Sequence, residues 1–158
     1  KVAGTESGVT EPQTAFSACF GAPFMPLHPT KYAEMLGSKM SKNNVNVWLI
    51  NTGWSGGAYG IGSRINLKYT RAMITSALNG NLNDVGFTNH GIFGLAMPNS
   101  CEDVPTEILN PKNTWSDKNL YDSKANKLAE SFVTNFKQFE EYANEEIISA
   151  APKVSQEA

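Results

Sequence analysis

Arg64 and Lys68 follow a run of five glycines between positions 53 and 62, in the string Asn51-Thr-Gly-Trp-Ser-Gly-Gly-Ala-Tyr-Gly-Ile-Gly-Ser-Arg-Ile65. Backbone without Cβ atoms can approach a ligand closely, so the chemistry this pattern suits is ligand binding on main-chain groups. Spacing alone leaves the ligand open. The run lacks the Gly-x-x-x-x-Gly-Lys-Ser/Thr pattern of a phosphate-cradling loop and does not match the dinucleotide fingerprint, so a structural turn fits the spacing equally well. The remaining reactive side chains are few. His28 precedes Pro29 and reads as structural; His90, in Thr88-Asn-His-Gly91, reads as exposed. Neither has a second ligand at metal spacing, so no metal held by this chain alone is expected. Cys19 lies in the apolar run 15–20 and reads as a buried free thiol. With Cys101 it makes two cysteines, too few for a disulfide scaffold, and a reducing cytoplasm is the expected compartment.

The glycine run needs elements on both sides to hold it. Val45-Asn-Val-Trp-Leu-Ile50, rich in β-branched and aromatic residues, predicts a buried strand before it. The stretch 70–78 predicts a helix after it. That order places the run beyond the carboxyl end of a strand, where α/β proteins bind ligands. Elsewhere, residues 1–14 read as a mobile loop and 16–20 as a short buried strand. A helix opens near His28 with Thr30 as N-cap, carries Tyr32, Leu36 and Met40 on one face, and ends at Asn43 and Asn44. Residues 79–83 predict a turn and 91–98 another strand closed by Pro98, with an irregular loop over 99–119. The face formed by Ala125, Leu128, Ala129, Phe132, Val133, Phe136 and Phe139 predicts a long helix over about 123–142, packed on the core. Glu140, Glu141, Glu145 and Glu146 read as a solvated surface.

At 158 residues the chain fits one domain, and 41% apolar against 18% charged residues marks it as globular. A net charge of −2 gives no sign of a nucleic-acid or membrane surface. The opening Lys-Val-Ala-Gly, without an initiator Met or an apolar signal region, leads us to expect a fragment of a longer protein.

Several blocks, in order, resemble the ATP-dependent phosphoenolpyruvate carboxykinases. They are Ala3-Gly-Thr-Glu-Ser-Gly-Val-Thr-Glu-Pro12, Phe16-Ser-Ala-Cys-Phe-Gly21, Leu27-His-Pro-Thr-Lys-Tyr-Ala-Glu34, the 51–65 string with Thr70-Arg71, and Ile108-Leu-Asn-Pro-Lys-Asn-Thr114. The resemblance runs along nearly the whole chain and implies the carboxyl-terminal part of that enzyme. It implies an α/β fold, a mixed sheet with flanking helices, belonging to the mononucleotide-binding domain. Residues 1–14 then form the active-site lid and its flanking loop, and 15–158 part of the nucleotide-binding catalytic domain. The implied activity converts oxaloacetate and ATP to phosphoenolpyruvate, ADP and carbon dioxide in gluconeogenesis.

The family's nucleotide contacts map onto Arg64, Ile65 and Thr70. A guanidinium can meet phosphate oxygens or stack on a base, Ile65 can line an adenine pocket, and the Thr70 hydroxyl can bond near the ribose. Ser63 stands where the family often has Lys, so the loop carries one positive charge fewer. The lid maps onto Gly4, Thr5, Glu6, Ser7 and Gly8, two glycines bracketing a small polar hinge. The family's phosphate-cradling loop, its ligands for Mn2+ and Mg2+ and its oxaloacetate-binding arginines have no counterpart in this sequence. The chain alone is therefore expected to be inactive, with the remainder of the parent polypeptide as its partner. From a different class, the alternative is a free-standing, non-catalytic nucleotide- or metabolite-binding module.

Overall fold

The computed structural model describes Gly4 and residues 7–10, 15–17 and 21–154. Cys19, with Thr5 and Glu6 of the predicted lid, lies outside the described residues, as does most of the predicted 16–20 strand. Phe16, which is described, is exposed and meets Phe132 edge-on at 5.3 Å.

Helix α1 spans Pro29–Asn43 and ends where the two asparagines predict, with Asn44 in the left-handed region at φ 49°. His28, not Thr30, is the N-cap residue. Its Nδ1 lies 2.8 Å from the Thr30 hydroxyl, inside the first turn, and its ring packs against Tyr142 at 4.6 Å. Helix α2 spans Leu67–Leu78, three residues longer at its start than expected. Asn66 supplies the cap, accepting from the Lys68 N–H at 3.0 Å.

Two small antiparallel sheets replace the expected mixed sheet. Strands β1 (Trp54–Ser55) and β2 (Ser63–Arg64) pair with each other, as do β3 (Phe87–Asn89) and β4 (Ala96–Pro98). The chain is thus α/β in content. The predicted strand over 45–50 has no regular secondary structure and pairs with no strand among the described residues. β-propensity in Val45–Ile50 favours extension; a ladder further needs a neighbour to take up the backbone groups. Residues 91–98 are likewise not one strand. Gly94 bends the chain back, with its N–H donating to the His90 carbonyl at 2.8 Å, so that 90–95 is the turn joining β3 to β4.

The supposed loop over 99–119 contains helix α3 (Thr106–Leu109) and a 3₁₀ turn over Pro111–Thr114. Helix α4 spans Lys118–Phe136, capped by Asp117, which accepts from the N–H groups of Asn119 and Leu120. It starts and ends earlier than its apolar pattern predicts, and a short helix α5 (Glu145–Ser149) follows. Glu140, Glu141, Glu145 and Glu146 are exposed, as expected.

The core is thin. Leu82, Cys101 and Val104 form its buried centre, with Trp48, Tyr69, Met73 and Ile108 packed around them. The buried stripe of α4 is Tyr121, Ala125 and Ala129; Leu128 and Phe132, expected inside, are 44% and 43% exposed. Small residues sit where α4 lies closest to the body, leaving its larger side chains at the margin.

Candidate functional site

Residues 53–65 form a tight hairpin. Trp54 pairs with Arg64 and Ser55 with Ser63, and the Ile65 N–H closes the ladder on the Gly53 carbonyl at 2.9 Å. Asn51 braces the entry: its side chain accepts from the Gly53 N–H at 2.9 Å and donates to the Trp54 carbonyl at 3.0 Å. Gly62 is where the two arms come closest. A Cβ there would fall 2.5 Å from the Ser55 carbonyl oxygen and 2.6 Å from that of Gly57. Gly56, at φ +77°, faces a different element, since its Cβ would lie 2.8 Å from the carbonyl oxygen of Thr114. The Ser55 hydroxyl donates to the Thr114 hydroxyl at 2.9 Å. The hairpin therefore rests against the 3₁₀ turn at 111–114.

The predicted contacts fall around this hairpin in different settings. Ile65 is half-buried and lines a cavity of about 800 Å³, together with Asn51, Ser55, Trp48 and Leu49. That volume lies within the range of small-molecule sites. Arg64 is exposed on β2 and has no carboxylate partner among the described residues, which leaves its donors available to an anion. Thr70 is buried in the first turn of α2. Neither Arg64 nor Thr70 lines the cavity. Lys68, the other basic residue after the glycine run, stands 4.8 Å from the Tyr69 ring centroid. Ser63 holds its place in the β ladder through backbone pairing, for which the side chain is immaterial.

At the far wall of the cavity lies a polar pair. His90 Nδ1 accepts from the N–H groups of Ile92 and Phe93, each at 3.2 Å, so the ring proton resides on Nε2 and donates to the Tyr121 hydroxyl at 2.7 Å. Burial lowers the His90 pKa, against a smaller opposing effect of Asp122; burial and then Asp122 raise that of Tyr121. Both groups are neutral near pH 7. His90 is thus not the exposed residue that its surrounding sequence predicts, because the β3–β4 hairpin folds it onto α4.

Gly4, Ser7 and Gly8 of the predicted lid belong to a turn in which the Gly4 N–H donates to the Val9 carbonyl at 3.0 Å. Among the described residues no three His, Cys, Asp or Glu side chains gather into a metal-binding group. Among the described residues, no helix is long and apolar enough to cross a membrane.

The family model for phosphoenolpyruvate carboxykinase, in its ATP-dependent form, matches residues 1–107. The chain belongs to that family. A phosphoenolpyruvate carboxykinase (ATP) of Flavobacterium johnsoniae is 70% identical over 152 residues, which are 96% of this chain and 28% of the relative. A counterpart from Christiangramia forsetii is 66% identical over 152 residues, covering 96% and 29%. Another, from Caldanaerobacter subterraneus subsp. tengcongensis, is 58% identical over 153 residues, covering 97% and 29%. The chain thus spans under a third of the length of the curated carboxykinases it matches.

The glycine run and Arg64 stand out in the sequence, but the hairpin and what holds it do not. Ser55 and Thr114 are 59 positions apart, and no local pattern links them. The one available signal was that Thr114 closes a stretch of family resemblance, Ile108 to Thr114, for which the sequence offers no local role.

Proposed function

We propose that this chain is part of an ATP-dependent phosphoenolpyruvate carboxykinase and supplies the adenine-nucleotide side of its active site. The supporting observation is the closed glycine hairpin, which presents an unpaired Arg64 on one arm and places Ile65 against an 800 Å³ cavity. The assignment within the parent is the carboxyl-terminal part of its mononucleotide-binding domain, working in the cytoplasm. In the whole enzyme the bond from the oxaloacetate carbon to its departing carboxylate breaks, releasing carbon dioxide. The enolate oxygen left behind takes the terminal phosphoryl group of ATP, and the bond to ADP breaks. This chain's contribution is binding and orientation. Arg64 meets phosphate or base, Ile65 packs on the adenine, and the Thr70 hydroxyl bonds near the ribose. Residues 4–8 act as the lid, keeping water from the enolate so that phosphorylation precedes protonation. The groups that hold the divalent ions and oxaloacetate come from the remainder of the polypeptide.

Two measurements test this reading. The purified 158-residue chain, given ATP, Mn2+ and oxaloacetate, is expected to show no turnover; measurable phosphoenolpyruvate would contradict it. Titration calorimetry of the same chain with ATP is expected to show weak binding or none. Micromolar affinity would instead identify a self-sufficient nucleotide-binding module.

A further inference from the structure

Lys118 is the first residue of α4, a position where the helix dipole disfavours a cation. Its side chain explains its presence there. The ammonium donates to the carbonyls of Lys112 at 2.8 Å, Asn113 at 2.9 Å and Trp115 at 2.7 Å, using all three of its N–H groups. These carbonyls lie in and just after the 3₁₀ turn over 111–114, where helical geometry leaves acceptors short of intrahelical donors; that of Lys112 also takes the Trp115 N–H at 3.3 Å. Thr114 lies in sequence between two of these acceptors, Asn113 and Trp115. Its hydroxyl donates to the Pro111 carbonyl at 2.8 Å and accepts from Ser55, while its carbonyl oxygen abuts Gly56. Ser55 is paired with Ser63, and the neighbouring pair is Trp54 with Arg64. A continuous set of contacts therefore runs from the Lys118 ammonium to the strand that carries Arg64.

We propose that Lys118 is a positioning residue for the nucleotide, fixing the 111–114 turn as the abutment on which the glycine hairpin sets the position of Arg64. The inference rests on the reading of Arg64 as a nucleotide contact. A hairpin with two paired residues on each arm, closed at its base by the Ile65–Gly53 hydrogen bond and the Asn51 side chain, can still rock about that base. The hydroxyl pair and the close approach at Gly56 fix it from one side, and both depend on the orientation of Thr114. Without the ammonium, the Asn113 and Trp115 carbonyls lose this donor and the Lys112 carbonyl keeps only the Trp115 N–H at 3.3 Å, so the turn relaxes to separate them.

The test uses the complete carboxykinase polypeptide bearing this segment, with steady-state kinetics in ATP and in oxaloacetate. Lys118→Met is expected to raise the KM for ATP about tenfold, the scale of a lost supporting shell, while leaving the oxaloacetate KM and kcat within about twofold. Lys118→Arg, which keeps the charge and several donors, is expected to restore part of the loss. Thr114→Val removes the hydroxyl link without removing the cation, and its effect on the ATP KM should not add to that of Ser55→Ala. If Lys118→Met does not fold, this pair alone decides the matter. An unchanged ATP KM in Lys118→Met or Thr114→Val, with that of Arg64→Ala elevated, overturns the role of Lys118 and leaves Arg64 standing. An unchanged ATP KM in Arg64→Ala overturns both. Equal increases for both substrates would show general damage and also overturn the proposal.

Discussion

Gly62 has no room for a methyl group. The two carbonyl oxygens that would meet it, at 2.5 and 2.6 Å, belong to the backbone of the same hairpin and cannot rotate away as a side-chain end would. Gly62→Ala must therefore open the ladder between β1 and β2, moving Arg64. In the complete enzyme the expected outcome is a loss of ATP affinity of at least tenfold, on the scale that about an ångström of misplacement costs. Binding measured by calorimetry checks this, and wild-type affinity would contradict it. Gly37 offers the opposite case. It lies within α1, faces solvent, and a Cβ there meets nothing within 4 Å. Glycine costs a helix interior about 0.5–1 kcal/mol relative to alanine. Gly37→Ala should accordingly stabilise the protein by about that amount, seen as a higher denaturation midpoint; a lower one would show a neighbour on that face. The two substitutions share their chemistry and differ only in what surrounds the site.

At the scale of elements, the β3–β4 hairpin is tied to α4 by His90. The ring's two nitrogens do different work, Nδ1 accepting from the turn and Nε2 donating to Tyr121. Protonating Nδ1 would set its hydrogen against two N–H groups. Burial lowers the His90 pKa from its ordinary 6.5, with Asp122 opposing. Between the folded value and 6.5 the unfolded chain binds more protons than the folded one, so stability rises with pH over that interval. The contribution is complete above 6.5 and is lost as pH falls below it through the folded value. Thermal melting followed downward from about pH 7 should show this decline, and His90→Gln, which cannot charge, should flatten it. An unaltered slope in the variant would place the proton uptake elsewhere. This tie also marks the limit of what the sequence made legible. Helix α1 and its stop at Asn44 were readable because caps and apolar spacing are local signals. The turn at 90–95 was hidden because Ile92, Phe93 and Leu95 are as apolar as a strand, and only His90 and Gly94 reveal the bend. The strand expected over 45–50 does not form among the described residues, since propensity says nothing about which neighbour supplies the ladder. At the candidate site, Arg64 and Ile65 were legible through the family string, whereas the support from Thr114 and Lys118 depends on a contact between distant segments.

Across the whole molecule, the apolar content promised a larger core than the described residues form. Phe24, Leu78, Leu49 and Ile61 are 79–86% exposed, and no large side chain among the described residues is fully buried. Residues 46–50 form part of the cavity wall and pair with no strand among the described residues. Scattered exposed apolar residues are ordinary in soluble proteins, but a wide cavity walled by an apolar segment is surface of the kind that another polypeptide covers. The carboxykinase relatives are more than three times as long as the matched region, which covers 28–29% of each of the three described. The 158-residue chain alone is therefore expected to bind the dye ANS strongly and to associate at micromolar concentration, and a complete carboxykinase containing it to do neither. Dye fluorescence and sedimentation of the two proteins, side by side, measure the difference. A monomeric chain that ignores the dye would mean that its exposed apolar groups are tolerated by water as they stand. The cavity next to Ile65 would then be a finished pocket, and the ATP titration should detect it.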